Sequence, residues 1–345
     1  MTIVLSQRGR SILDAIIRDY IQTAEPVGSR SISKKSALRL SPATIRNIMS
    51  DLGDMGLITQ PHASAGRVPT EDGLRFYVNS ILEMRPLAES EKKRIESYFE
   101  DSGQEVDDLL KTTSKMLAVI TEQAALVSKP KYSATIFKHI EFIKLRENLV
   151  LVVLVTQAGL VQNKIIEIEE TLDQDEMDQL TGYLNELLSN LTLDQVKQKI
   201  LEEMKNDKIQ FDNLLSKALR ISNQAFQGET EGEVYIEGQS NLMRYPEFSQ
   251  IETLRTLFRA FEQKSILVRL LEKSINASGI QIFIGSETQI HEMEGCSLIT
   301  ASYNKGDYPI GTLGVIGPTR MNYDRVIPIV DYTAKLVSKI LEKKI

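Results

Sequence analysis

Hydrophobic residues in the first eighty positions recur at helical spacing, and short segments rich in turn-forming residues separate the helical stretches. Apolar side chains three and four positions apart from Ile12 to Ile21 predict a first helix, which ends before Pro26. Ser29 is the expected N-cap of a short second helix that runs through Lys35. A turn is expected from Ser36 to Leu40.

The third helix is predicted from Pro42 to Met55. Ser41 offers an N-cap hydroxyl, and Pro42 takes the first helical position, where a missing N–H costs nothing. The face expected to pack against the first two helices carries an apolar stripe: Ile45, Ile48, Met49, Leu52 and Met55. Because successive residues turn by about 100°, the opposite face presents small and hydrogen-bonding groups. These are Ala43, Asn47 and Ser50, with Thr44 and Arg46 at the flanks.

A two-stranded wing and a fourth helix complete the pattern. Gly56 fits the position just beyond the third helix, where a left-handed residue commonly ends a helix. Strands are predicted at Leu57–Gln60 and Arg67–Pro69, on either side of a turn-rich loop. Thr70 caps another helix, whose apolar positions are Leu74, Tyr77, Val78, Ile81 and Leu82. Three helices, a hairpin and a further helix predict a winged helix-turn-helix.

The rest of the chain predicts a domain of mixed helices and strands. A linker around Pro86 precedes a long helical stretch that is expected to reach about Val127. Three strands follow, at Phe137–Leu145, Leu149–Thr156 and Leu160–Ile168. The middle strand is nearly all apolar, which favours a central place in a sheet.

A helical block separates these strands from a second group. Leucine and isoleucine at spacings of three and four predict helices from Leu172 to Phe226, and helices are expected again from Ile251 to Asn276. Strands return at Gln281–Gly285, Ser297–Tyr303 and Gly311–Gly317, before a final amphipathic helix at Asn322–Lys343. Strands that are interrupted by a helical block and then resumed predict one domain inserted into an α+β domain.

Composition narrows the range of functions. The 345 residues are 42% hydrophobic and 26% charged, as in soluble globular proteins. The longest apolar run, Leu149–Val155, is far short of the roughly 20 residues that a membrane helix needs, so we expect a cytoplasmic protein with no membrane partner. A single cysteine, Cys296, and three histidines leave little for a disulfide or a metal site. No metal, cofactor or catalytic residue is predicted.

The charge is unevenly distributed along the chain. Residues 1–50 carry eight basic side chains against three acidic ones, a net charge of +5, although the whole chain has a net charge of −6. A basic module on an acidic body favours a polyanion such as nucleic acid as the partner of that module. The alternative is an ordinary solvated face with an accidental surplus of charge.

The third helix has the features of a DNA recognition helix. Its small and hydrogen-bonding face begins at its N-terminus, the part of a recognition helix that enters a major groove about 12 Å wide. Asn47 is expected to pair with an adenine edge and Arg46 with guanine or phosphate. Ala43 or Thr44 would contact a thymine methyl group. An ordinary surface helix is the alternative, although such helices usually carry more glutamate and lysine.

Basic and polar residues around that helix are expected to contact the DNA backbone. Four basic residues on and after the second helix are expected to hold phosphates: Arg30, Lys34, Lys35 and Arg39. The wing would place His62, Ser64 and Arg67 against phosphate or the minor groove. For His62 alone, a solvent-exposed loop histidine is the simpler interpretation. Ser41 and Ser50 complete the candidate DNA-binding set.

Four segments resemble the heat-inducible transcription repressor HrcA family. They are Glu25–Arg30 (EPVGSR), Ser41–Asn47 (SPATIRN), Ser64–Val78 (SAGRVPTEDGLRFYV) and Gly314–Tyr332 (GVIGPTRMNYDRVIPIVDY). They lie near both ends of the chain in the order of the family, so the resemblance covers essentially the full length. Gly53 departs from the family pattern, and glycine inside a helix costs about 1 kcal/mol relative to alanine.

The resemblance implies a bacterial repressor of chaperone operons of the groE and dnaK groups. Such a repressor binds an inverted-repeat operator, the CIRCE element, as a homodimer and is released on heat stress. The resemblance also implies that the chaperonin GroEL helps to keep the repressor active. For the body it implies a GAF-like α+β domain with an inserted, mostly helical dimerisation domain. The expected bounds are 1–85 for the winged helix, 86–169 with 241–345 for the GAF-like domain, and 170–240 for the insertion.

Other features suggest different chemistry. GAF-like folds often bind small molecules, so a small-molecule-responsive winged-helix regulator is the alternative function. Gly311–Gly317 has neither a Walker lysine nor GxGxxG spacing and is interpreted as a strand. The acidic segment Asp173–Asp178 lacks the glycine of a calcium loop and favours a helix N-terminus. An enzyme is disfavoured because no nucleophile–base pair stands out, and Cys296 is interpreted as a structural thiol.

Overall fold

The computed structural model describes residues 4–35, 40–100, 105–130, 136–157, 161–168, 173–192, 195–196, 198–200, 202, 233–275, 277, 279–306 and 308–344. The chain divides into two compact units. The first comprises Met1–Val127, Val234–Ser302 and Thr312–Leu336, and the second comprises Ser128–Glu233, Tyr303–Gly311 and Val337–Ile345.

The helices and strands follow one another along both units. The α-helices run over α1 (Gln7–Thr23), α2 (Ser29–Lys35), α3 (Pro42–Asp54), α4 (Glu71–Ser80), α5 (Glu89–Ser97), α6 (Val106–Thr121), α7 (Gln174–Leu187), α8 (Ile251–Glu262), α9 (Lys264–Ile275) and α10 (Tyr323–Lys344). The strands are β1 (Ile58–Thr59), β2 (Val68–Pro69), β3 (Ala124–Ser128), β4 (Phe137–Arg146), β5 (Leu149–Thr156), β6 (Val161–Glu167), β7 (Val234–Glu237), β8 (Ile280–Ile284), β9 (Cys296–Lys305) and β10 (Tyr308–Pro318).

The winged helix-turn-helix predicted for the first eighty residues is confirmed. Ser41 Oγ accepts a hydrogen bond from the Thr44 N–H at 3.1 Å and so caps α3 as the sequence indicates. Thr70 Oγ1 caps α4 in the same way by accepting from the Gly73 N–H at 3.0 Å. The core between the helices is built from buried aliphatic side chains, among them Ile12, Leu13, Ile16, Ile17, Ile45 and Leu52.

Details of the winged helix differ from the sequence prediction. The sequence places Met55 in the packing stripe, but α3 ends at Asp54 and Met55 forms its C-cap, where the residue is 47% exposed. The paired wing strands are only two residues long, because Arg67 bridges Val27 instead of continuing β2. Residues 36–39 of the expected turn lie outside the described residues.

Two glycines allow backbone segments to approach closely around the wing. A Cβ at Gly73 would overlap the carbonyl oxygen of Leu57, the residue before β1. A Cβ at Gly66 would lie 2.6 Å from the carbonyl oxygen of Pro26, in the loop between α1 and α2. The wing is therefore packed closely against both α4 and that loop.

The body of the first unit is built on a five-stranded sheet in the order β7-β3-β10-β9-β8. β10 pairs antiparallel with β3, and β9 pairs antiparallel with β8. Helices α8 and α9 share a core with this sheet that includes Leu126, Phe261, Leu271, Leu298 and Ile316. Helices and an antiparallel sheet around one core form the GAF-like α+β body that was expected.

The prediction of a helix that reaches Val127 is wrong. α6 ends at Thr121, Glu122 has a left-handed φ of 57°, and β3 begins at Ala124. The residues from Ala124 to Val127 are completely buried, so the segment lacks the alternation of polar and apolar residues that marks a surface strand. The short strand β7 is likewise absent from the sequence prediction.

The final amphipathic helix is confirmed as α10. Its buried residues Ile327, Val330, Val337 and Leu341 recur at helical spacing. No α-helix within the described ranges combines the length and the apolarity needed to cross a lipid bilayer.

The second unit contains a three-stranded antiparallel sheet with β5 at its centre, as the apolar sequence of β5 predicts. Phe142 and Val152 on the inner face of this sheet share a core with Met177 of α7. Asp173 caps α7 by accepting a hydrogen bond from the Glu176 N–H at 2.8 Å. The acidic segment is therefore a helix N-terminus, as predicted.

The second unit differs from the expected insertion at 170–240. Strands β4–β6 and helix α7 share one hydrophobic core across residue 170, and the unit spans Ser128–Glu233 in its main segment. Its described part is therefore not mostly helical, because three strands precede α7. Residues 203–226 of the predicted helical block lie outside the described residues.

Alanine substitutions at two glycines of the winged helix are expected to act in opposite directions. Gly73→Ala forces a Cβ into the Leu57 carbonyl group and should lower the free energy of unfolding by about 1–3 kcal/mol. Gly53→Ala, whose Cβ would lie 3.8 Å from Ile58 O, should raise it by up to about 1 kcal/mol, because alanine favours helix. Urea unfolding of both variants measures the difference. An unaffected Gly73→Ala protein would contradict the close approach of α4 and the wing.

Candidate nucleic-acid interface

Helix α3 presents the polar face that the sequence predicts. The exposed residues on it are Ala43, Arg46, Asn47 and Ser50, whereas Ile45, Met49 and Leu52 are buried. Thr44 is half-buried, and its hydroxyl lies 2.9 Å from Ser41 Oγ. The first acidic residue of α3 is Asp51, so the N-terminal turns of the helix meet a polyanion without repulsion from a carboxylate on α3.

Helix α2 lies beside the start of α3 and adds basic side chains. Arg30 and Lys34 are exposed on it. Ser33 Oγ donates a hydrogen bond to Leu40 O at 3.0 Å, which ties α2 to the segment that enters α3. Two of the expected phosphate ligands lie outside the described residues: the side chain of Lys35 and the whole of Arg39.

One side chain bridges the turn of the wing. Gln60 Nε2 donates hydrogen bonds to the carbonyl oxygens of Ala63 at 2.9 Å and Ala65 at 3.0 Å. His62 and Ser64 are exposed at the tip of this turn. The sequence prediction missed Gln60, because a polar residue at the end of a short strand has no local feature that marks it.

Three arginines from three different elements line one cleft. The cleft has a volume of about 430 Å³ and lies between α2, α3 and the base of the wing. Arg30, Arg46 and Arg67, here called the arginine triad, line it together with Gln60 and Ser64. Among the described residues, none of these three guanidinium groups forms an ion pair with a carboxylate. Guanidinium groups without a protein counter-ion are well suited to bind phosphate.

A backbone bridge brings the wing to the rest of the triad. The Val27 N–H donates to Arg67 O, and the Arg67 N–H donates to Val27 O, each at 2.9 Å. This bridge places Arg67 next to the start of α2, which carries Arg30. The absence of a side chain at Gly66 permits the close approach.

The other motifs that the sequence singles out lie in structural positions. Gly311–Gly317 is inside β10, as predicted. Cys296 is 1% exposed, and burial raises the pKa of its thiol to about 12. Within the part of the chain that the structure describes, no group of three or more histidine, cysteine, aspartate or glutamate side chains is arranged to hold a metal ion.

A helix-turn-helix with a wing, a basic cleft beside the recognition helix and an attached α+β body define a winged-helix transcription regulator. The family model described as "Winged helix-turn-helix transcription repressor, HrcA DNA-binding" matches residues 4–79, and "HrcA protein C terminal domain" matches residues 107–327. The chain therefore belongs to the heat-inducible transcription repressor HrcA family.

Relatives from several bacteria support this assignment. The chain is 49% identical over 338 residues to the heat-inducible transcription repressor HrcA of Geobacter sulfurreducens. It is 46% identical over 341 residues to that of Syntrophobacter fumaroxidans, and both comparisons cover 98% of each chain. The crystal structure of a hypothetical protein at 2.2 Å resolution is similar with a TM-score of 0.62 and 26% identity, over 99% of this chain and 100% of that chain. The shared fold thus extends along the whole chain.

Removal of Arg67 should weaken DNA binding whatever the DNA sequence. We expect Arg67→Ala to lower the affinity for specific and random duplexes alike. The slope of log affinity against log salt concentration is negative, and its magnitude should decrease by about 0.9 for each phosphate that the protein no longer neutralises. Titrations between about 50 and 200 mM salt measure that slope. Arg94→Ala, at an exposed arginine of α5, is the matched control. A slope equal to that of the wild type would exclude Arg67 from the phosphate contacts.

Proposed function

We propose that the protein represses chaperone operons of the groE and dnaK type. It binds an inverted-repeat operator of the CIRCE kind as a homodimer, and heat stress releases it. The observation that carries the proposal is the small and polar exposed face of α3, bordered by the arginine triad. Membership of the HrcA family supports the heat-inducible class of repression. The protein acts by binding and performs no catalytic step.

Base reading is assigned to the outer face of α3. Asn47 carries a side-chain amide that can pair with the two hydrogen-bonding groups of an adenine edge. Ala43 and the methyl group of Thr44 offer apolar contacts to a thymine methyl group. Arg46 belongs both to the recognition helix and to the triad, so it is placed to contact either guanine or phosphate. Ser50 lies on the same exposed face, one turn further along α3.

The remaining candidate residues are assigned to the DNA backbone: Arg30, Lys34, Lys35, Arg39, Ser41, His62, Ser64 and Arg67. Contacts of this kind fix the register of a protein on DNA but carry no sequence information. The net charge of +5 on residues 1–50 supplies the attraction. The acidic body does not cancel it, because charges are screened beyond about 8 Å at physiological salt.

A dimer is proposed because one winged helix places only one helix in one stretch of major groove. Two winged helices related by a two-fold axis would read two arms about 34 Å apart, or a multiple of that distance. An inverted repeat has the same two-fold symmetry. The second compact unit, with its three-stranded sheet and α7, is proposed to provide the dimer contact that the family resemblance implies.

Two further assignments complete the proposal. The chaperonin GroEL is the partner that helps to keep the repressor active, and the cytoplasm, where bacterial DNA lies, is the location.

A small-molecule-responsive regulator with a ligand-binding GAF-like body stays the alternative prediction. A ligand at 100 times its Kd would add about 2.7 kcal/mol of stability, which a thermal-shift screen detects.

A strong preference for an intact inverted repeat is expected. At fixed, near-physiological salt, the protein should bind a duplex with the intact repeat at least about 10³-fold more tightly than random DNA. Scrambling one arm should remove most of that preference. Equal and steeply salt-dependent binding to all three duplexes would contradict the proposal, because only nonspecific attraction to phosphate would remain.

The same titration tests the role of Asn47. Asn47→Ala should weaken binding to the intact repeat by about 1–3 kcal/mol and leave binding to random DNA unchanged, because the substitution removes only a hydrogen-bonded pair with a base. Asn79→Ala, at an exposed asparagine of α4, is the matched control. Equal reductions on the two duplexes would show that Asn47 does not read a base.

A further inference from the structure

Within the first compact unit, a polar junction connects α4 of the winged helix to β8 and the turn after it. Arg75 forms an ion pair with Glu287, with Nε 2.8 Å from Oε1, and its Nη2 donates a hydrogen bond to Ile282 O at 2.6 Å. Glu71 accepts hydrogen bonds from the Ser286 N–H at 3.1 Å and from Ser286 Oγ at 2.6 Å. Glu71 and Arg75 are four residues apart and so lie on one face of α4. We call these contacts the α4 junction.

The turn that receives α4 is shaped for these contacts. Gly285 has a φ of +54°, and a Cβ at this position would collide with the carboxylate of Glu71. The Ile284 N–H donates to Glu287 at 2.8 Å and so fixes the carboxylate that Arg75 contacts. Burial raises the pKa of Glu287, but the hydrogen bonds from Arg75 and the Ile284 N–H outweigh it and hold the pKa below its ordinary value. The carboxylate is therefore charged at neutral pH.

A second junction supplies a cation to the C-terminal end of α1. The last turn of α1 contains no basic residue, and Ile21 O is among the four carbonyl groups that have no partner inside the helix. Arg320, which follows β10, donates a hydrogen bond from Nη1 to Ile21 O at 2.9 Å. A positive charge at this end of a helix is favoured by the helix dipole. We call this contact the α1 junction.

Arg320 is held on its other side by the body. It forms an ion pair with Glu247, with Nη2 3.3 Å from Oε2, and its guanidinium carbon lies 5.4 Å from the centre of the Tyr245 ring. The Tyr245 hydroxyl accepts a hydrogen bond at 2.6 Å from Nε2 of Gln123, which directly precedes β3. The Arg320 side chain is only 11% exposed. A continuous set of contacts therefore runs from the central sheet to α1.

We propose that Arg75 and Arg320 are positioning residues for operator binding, which hold the winged helix in one orientation on the body. A single anchor would leave the winged helix free to rotate, whereas anchors on both α1 and α4 fix its direction. Neither residue belongs to the arginine triad or to the outer face of α3. The inference rests on the proposed function, in which a dimer reads an inverted repeat.

The two junctions are expected to affect the simultaneous binding of both arms of the inverted repeat. Once one recognition helix has bound its arm, the second binds at an effective concentration that depends on how narrowly its position is constrained. A dimer whose winged helices have a fixed orientation binds both arms tightly only when one particular spacing separates the arms. Winged helices that rotate freely would bind each arm almost independently, so the spacing between the arms would matter little.

The test compares the full-length wild type with Arg320→Gln and Glu287→Gln, which removes the charge opposite Arg75 and keeps the shape of the side chain. Lys335→Ala, at an exposed lysine of α10, is the control. The duplexes carry one arm, the intact repeat, or repeats whose spacer is changed by about one to three base pairs. We expect both junction variants to lose about tenfold in affinity for the intact repeat, to keep single-arm affinity within about twofold, and to lose the dependence on spacing.

The outcomes separate a positioning role from a structural one. A spacing dependence unchanged in both variants, or an equal loss on the single-arm duplex, would overturn the positioning role. If the wild type itself shows no preference for the intact repeat, the proposed function fails, and this inference fails with it. If the wild type shows the preference and the variants keep its spacing dependence, only the positioning inference fails.

Discussion

A recognition helix has to bury one stripe of side chains firmly enough to be held in place, while its opposite face stays free of the protein. In α3 the buried stripe contains Ile45, Met49 and Leu52, and the free face is small and polar. Close backbone contacts at Gly66 and Gly73 then fix the wing beside that helix. The rest of the interface depends on this packing, because the arginine triad forms only where α2, α3 and the wing base meet.

The arginine residues of the first compact unit have two different tasks: some are available to bind DNA, and others connect parts of the protein to one another. The arginine triad has no carboxylate partner among the described residues and so is available for phosphate. Arg75 and Arg320, in contrast, are engaged by carboxylates of the body and by backbone carbonyl groups, those of Ile282 in the body and Ile21 in α1. Arginine suits both tasks, since its planar guanidinium group offers five donors in a fixed geometry. The arginine triad attracts DNA, whereas Arg75 and Arg320 determine the direction in which the surface that attracts DNA faces.

The sequence predicts the parts of this structure that short-range rules determine. Hydroxyl groups at Ser41 and Thr70 mark the starts of α3 and α4, because a helix cap acts over three residues. Strand β3 was missed, since a short buried apolar run has no periodicity that separates strand from helix. Arg30, Arg46 and Arg67 are each predicted from the sequence as DNA contacts, but their convergence in one cleft and the two junctions are not predicted, for another reason. They depend on pairs such as Val27 with Arg67, or Arg75 with the turn after β8, which are distant in sequence and which no local pattern encodes.

The most direct test is to map where α3 lies on DNA. The only cysteine, Cys296, is 1% exposed, so Ser50→Cys gives the protein a single accessible thiol on the outer face of α3. An iron chelate attached to that thiol should cleave a duplex with the inverted repeat at two symmetric positions, one in the major groove of each arm. Cleavage spread evenly along the duplex, or confined to one arm, would show that two copies of α3 do not read the repeat.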